Sequence, residues 1–226
     1  MAEVNRNRII GLETLAVSAL LLPRILAPFV PAYGRPAHYS IGSEIISTAQ
    51  FFVLGVVVLF IIWSSGDPLA DFGIRKEPWP KTVIASFLLL AVLLILCAFR
   101  VYSYGLPTPG MGTQPAPSPL ALLVSAINCL VASAATQLIA FSYLITRLRE
   151  LTGSIYWAVA ISTAVFLLSF TTFTAHHFFL ELVTNCAQGL CLAAAFVVTR
   201  SIWPLIVSFA LYSFAYHMYY LQFVTR

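Results

Sequence analysis

His176, His177 and Glu181 are the residues of this chain whose types and spacing could do chemistry. His177 and Glu181 are four apart and share a face on a continuous helix. Two imidazoles and a carboxylate are a partial donor set for zinc, which takes four tetrahedral N, O or S ligands. Asn185 or His217 could complete such a set. The group also falls near the end of one apolar run and the start of the next, where His and Glu commonly just meet water. Metal ligation and a solvated interface are both compatible with this spacing.

The elements that would position these residues follow from composition. Of 226 residues, 60% are hydrophobic and 9% charged, and the mean hydropathy is +0.92. A soluble domain of this length needs far more charge on its surface. Apolar runs recur along the chain without period-two alternation, so an all-α polytopic transmembrane bundle is expected and not a barrel. The candidate spans are roughly 9–30, 41–63, 82–103, 119–147, 155–175, 179–199 and 202–223, each about long enough for ~30 Å of hydrocarbon. That makes about seven crossings, or eight if Pro23 and Pro28 break the first run. No internal repeat or second domain is visible, so residues 1–226 read as one integral-membrane domain. No cleavable signal peptide is evident.

Orientation follows from Lys and Arg. Arg6, Arg8, Arg75, Lys76, Lys81, Arg147, Arg149 and Arg200 fall on one side of the seven-span arrangement. This bias places the N-terminus in the cytoplasm, and the expected location is a bacterial cytoplasmic (inner) membrane. The net charge of +4 is this loop bias, and no nucleic-acid partner is expected. Cys97, Cys129, Cys186 and Cys191 form no CxxC pair and read as small apolar residues.

Ionisable groups at membrane depth are costly and draw attention by default. Arg24 and Arg100 lie near span ends and are expected to snorkel. Glu13 is expected to face headgroups, and Glu44 to sit in a first turn where the helix dipole favours it. His217 lies among Tyr212, Tyr216, Tyr219 and Tyr220, an aromatic belt by composition. HExxH, phosphate-binding Gly loops and GxSxG are absent.

Several short stretches carry a resemblance. Ala70–Lys76 (ADFGIRK), Tyr143-Leu144, Leu151-Thr152-Gly153-Ser154, Phe173-Thr-Ala-His-His177, Gln188-Gly189 and Thr199-Arg-Ser-Ile-Trp-Pro-Leu-Ile occur in one order. In that order and spacing the chain resembles the CPBP family of CAAX-protease and bacteriocin-processing intramembrane metalloproteases, also called Abi. The resemblance implies a membrane-embedded site in which Glu and His bind zinc and a glutamate takes a proton from metal-bound water.

The departures fall on that chemistry. Where the family's EExxxR motif has its paired glutamates, this chain has Thr136 and Gln137; where it has the arginine, Phe141 followed by Ser142. The third motif's His and Asn or Asp match Ser208 and Ser213 in the run SFALYS. His177 of the FxxxH motif is what remains of the family's polar set. Gln and Thr are weaker ligands and accept no proton at neutral pH, so turnover should be lost. Replacing the arginine as well avoids a stranded buried cation.

The resemblance therefore implies a CPBP-like protein that does not cut. It would bind a membrane protein, a lipid-modified peptide or a lipid, and would need no cofactor. One alternative is an active zinc protease with a relocated site at His176, His177 and Glu181. Another is an accessory subunit of a membrane complex or a small transporter.

Overall fold

The computed structural model describes residues 9–18, 41–104, 118–170 and 178–223, together with Arg6 and Leu21. Among them every regular element is helical. The order is α1 (Ile9–Ser18), α2 (Ile41–Ser64), a 3-10 turn (Leu69–Phe72), α3 (Trp79–Tyr104), α4 (Pro119–Thr136), a π-helical stretch (Gln137–Tyr143), α5 (Leu144–Thr152), α6 (Ile155–Phe170), α7 (Phe178–Thr199) and α8 (Trp203–Phe223). Among the described residues four helical stretches are long and apolar enough to cross a membrane: Ile41–Ser64, Trp79–Ser103, Pro119–Thr152 and Phe178–Thr199. The chain is an all-α integral membrane protein, as its composition implies. The first expected span is described only from Ile9 to Ser18 and at Leu21, and His176 and His177 lie outside the described residues.

Helix ends are written locally. The Ser118 side chain accepts from the Ala121 N–H at 3.2 Å, with Pro119 at the first helical position of α4. α5 stops at Gly153, which is left-handed (φ 67°) and donates its N–H to the Arg149 carbonyl at 2.9 Å. Between these signals the chain does not break. Pro119–Thr152 runs as one rod of 34 residues, about 50 Å at 1.5 Å per residue. This exceeds ~30 Å of hydrocarbon, so α5 projects beyond the apolar layer.

The bundle is inverted relative to a soluble one, with apolar residues on both faces. Along α3, Ser86, Leu89, Leu93 and Arg100 are buried at helical spacing, while Phe87, Leu88 and Ile95 face outward into lipid. Close packing uses small residues. A Cβ on Gly55 of α2 would lie 3.6 Å from Ala135 Cβ. The Ser133 hydroxyl of α4 donates to the Ile206 carbonyl of α8 at 2.8 Å. α8 packs against α3 on one side and α4 on the other, and α2 packs on α4.

The two ends of the bundle differ. Asp67, the 70–76 loop, Arg147, Arg149 and Arg200 gather at one end. Glu44, Arg100, Glu181 and His217 gather towards the other. The basic residues expected on one side of the membrane are thus on one side of the bundle wherever the described contacts place them.

Candidate functional site

The altered EExxxR positions lie at the end of α4 (Thr136) and in the π-helical stretch (Gln137, Phe141). Thr136, Gln137 and Phe141 are all at most 2% exposed. A π turn shifts the side chains that follow it around the helix axis and often marks a functional position. Here it turns Phe141 into the centre. Its ring lies 5.3 Å from that of Phe166 on α6, and Phe166 lies 6.1 Å from Phe209 on α8. The column continues from Phe209 to Tyr212 at 5.9 Å and from Tyr212 to Tyr216 at 6.3 Å. α7 closes against it at Gly189, where a Cβ would come within 3.0 Å of both Phe166 and Thr163.

Ser208 is fully buried, and its hydroxyl turns back on its own helix, donating to the Pro204 carbonyl at 2.7 Å and towards Leu205 at 3.2 Å. Ser213, one and a half turns on, is half-buried. Gln137 is the exception to this closure. It is 0% exposed, and neither amide atom has a hydrogen-bond partner among the described residues. Thr136, Gln137, Phe141 and Ser208 are thus each buried, and aromatic rings pack around Phe141.

The donor set does not suit zinc. Thr136, Gln137, Phe141, Ser208 and Ser213 include no carboxylate, imidazole or thiolate. Among the described residues no group of three His, Cys, Asp or Glu is placed to hold a metal ion.

Glu181 has a different role. Its carboxylate takes the Arg100 guanidinium at 3.2 Å, and Asn185, one turn along α7, accepts from the same guanidinium at 3.4 Å. Arg100 also sits over the Tyr216 ring, 5.2 Å from its centroid. Arg100 does not snorkel: it is 9% exposed and held by α7 and α8. The reason is that a paired buried cation needs no path to water. Glu181 is eight residues before Gly189, about 12 Å along the helix from the level of Phe166.

Glu44 sits in the first turn of α2 as expected, and it is also paired, with His217. His217 Nε2 lies 3.1 Å from Glu44 and 3.4 Å from the Ser125 hydroxyl. The contact joins α2, α4 and α8, and Thr48 donates to Asn128 Oδ1 at 3.1 Å nearby. Ser, His and acid meet here, yet both neighbours share one ring nitrogen. A nucleophile–base–acid relay uses the two opposite nitrogens, so this is a structural clasp.

Arg147, counted in the sequence among loop cations, is the largest side chain that is almost fully buried, at 1% exposure. It reaches Asp67 at 2.7 Å, Glu150 at 2.9 Å and Glu13 at 3.2 Å, and stacks over Phe72 at 5.0 Å and Tyr143 at 5.9 Å. Glu13 therefore faces protein and not headgroups. No local pattern announces partners 80 and 134 positions away.

Beside the core, an apolar groove of about 320 Å³ opens between α2, α4 and α8. Phe51, Gly55, Ala134, Leu138 and Trp203 line it, so it adjoins the π stretch.

Residues 118–215 match the family model described as Type II CAAX prenyl endopeptidase Rce1-like. Over this stretch, somewhat under half of the chain, it is similar to the Rce1-like members of the CPBP family. The match begins at the α4 cap and ends within α8, so it contains the π stretch, the aromatic column as far as Tyr212 and each altered motif position. No curated protein and no solved structure matches the chain. The chemistry of this Rce1-like segment's core must accordingly be read from its own residues.

Proposed function

We propose that this Rce1-like membrane protein binds and does not cut. Its partner would be another membrane protein, a lipid-modified peptide or a lipid, and it uses no zinc. The observation that carries this reading is Phe141. It stands at the position of the motif's arginine, is fully buried, and packs at 5.3 Å on Phe166. A core of packed aromatic rings supplies neither a metal-bound water nor a base to deprotonate it.

The apolar groove beside Leu138 supports the choice of partner. It is lined by apolar side chains, the lining expected for an acyl or prenyl chain. A relocated site would have to recruit Glu181, whose carboxylate is already engaged by Arg100 in a buried pair. Releasing it would strand a cation at 9% exposure. The charge asymmetry of the two ends further supports a cytoplasmic N-terminus.

The test uses the purified chain with a farnesylated CAAX peptide carrying a fluorophore. Saturable binding with no cleavage product is expected. Binding should weaken when Gly55→Phe fills the groove. Cleavage lost on His177→Ala would refute the reading, as would equal affinity for the unprenylated peptide.

A further inference from the structure

At the basic end of the bundle a polar pocket of about 440 Å³ is formed by the 70–76 loop, α5 and the α7–α8 connection. Arg75, Arg149 and Arg200 line it, together with Thr146, Asp71 and Glu150. We propose that this pocket is a binding site for a phosphate group, held by the guanidiniums of Arg149 and Arg200 with Arg75 as a fixed wall.

The charges are arranged for an anion. Glu150 is engaged by Arg147 at 2.9 Å, which leaves Asp71 on the exposed rim as the other acid. Among the described residues Arg149 and Arg200 have no side-chain partner, although guanidiniums are strong bidentate donors. Arg200 also carries its pKa below the ordinary value, through partial burial and then the nearby charges of Arg149 and Arg75. A group under that repulsion is stabilised by an incoming anion.

The pocket is also built rigidly. Arg75 is fastened by Glu77 and by donating to the Thr199 carbonyl at 2.9 Å. Trp203 Nε1 donates to the Arg75 carbonyl at 3.0 Å, and the Ile202 N–H to the Gly73 carbonyl at 3.1 Å. Arg200 is held at φ 52°, a left-handed conformation for a non-glycine residue, by its N–H bond to Phe196 at 2.7 Å. Because α5 extends past the apolar layer, the pocket stands at headgroup level, on the side where anionic lipid attracts basic residues. The phosphate could belong to a lipid headgroup or be free in solution, and the experiment separates these.

Titrate the purified chain in uncharged detergent with dioctanoyl phosphatidic acid, inorganic phosphate and dioctanoylglycerol, following tryptophan fluorescence, since Trp203 abuts the site. Saturable binding of phosphatidic acid and none of dioctanoylglycerol is expected. Arg149→Gln/Arg200→Gln should weaken it about tenfold or more, and Arg149→Lys/Arg200→Lys should restore most of the affinity, which a misfolded pocket would not allow. Phosphatidic acid alone binding identifies a headgroup site; inorganic phosphate binding as tightly identifies a free-anion site. Equal binding of dioctanoylglycerol, no binding of either phosphate, or affinity unmoved by the Gln pair would overturn the proposal.

Discussion

Arg147→Met should be among the most damaging single changes in this protein. The side chain is 1% exposed and satisfies Asp67, Glu150 and Glu13, which are themselves 23%, 33% and 19% exposed. Methionine keeps much of the volume and removes the charge. Asp67 then keeps only the exposed Arg6 at 3.4 Å, and the Glu13 and Glu150 carboxylates lose their guanidinium. Removing one partner of a buried pair costs about 3–5 kcal/mol. Partial exposure of the acids screens their repulsion, which puts the electrostatic loss near the lower end, about 3 kcal/mol. Lost stacking on Phe72 and Tyr143 adds about 0.5–1 kcal/mol. For a chain of this length each kcal/mol is worth about 2–4 °C, so thermal unfolding in detergent should fall by roughly 7–15 °C. The cause is tested by adding Asp67→Asn, which removes one of the opposing charges and should recover part of the loss. A melting temperature within about 2 °C of wild type, or a further drop with Asp67→Asn, would refute the hub as the element joining α1, the 65–72 loop and α5.

Gln137→Leu should stabilise. The buried amide has no partner, a situation costing about 1–3 kcal/mol, and leucine fits the apolar surroundings, so a gain of about 1 kcal/mol, read as a higher melting temperature, is expected. Gly73→Ala should destabilise by about 2 kcal/mol or more, measured the same way. Gly73 is left-handed at φ 72°, and an added Cβ would come within 2.8 Å of Phe196 and 3.2 Å of the Ile202 nitrogen.

Much of the fold was legible because lipid imposes it. Long apolar runs at membrane-crossing length leave helices as the economical way to satisfy the backbone. Ser118 caps α4 and Gly153 ends α5 by their own chemistry, five residues past the expected end of that span at 147. The altered motif at Thr136, Gln137 and Phe141 was also readable, since residue type alone removes donors and base. What replaces the lost chemistry was not. Phe166 and Phe209 carry no sign of packing into a column with Phe141, and nothing local to the 137–143 run marks it as π-helical.

The sequence by itself determined the solvent, the element type and the sidedness of charge, because each follows from composition within one segment. Tertiary structure alone decided the fate of the ionisable groups. Arg100, Glu181, Glu44, His217, Glu13 and Arg147 all looked like interfacial residues. Each is instead matched by a group from another helix. The cost of an unpaired charge at membrane depth makes a partner necessary, but only packing determines which distant residue supplies it.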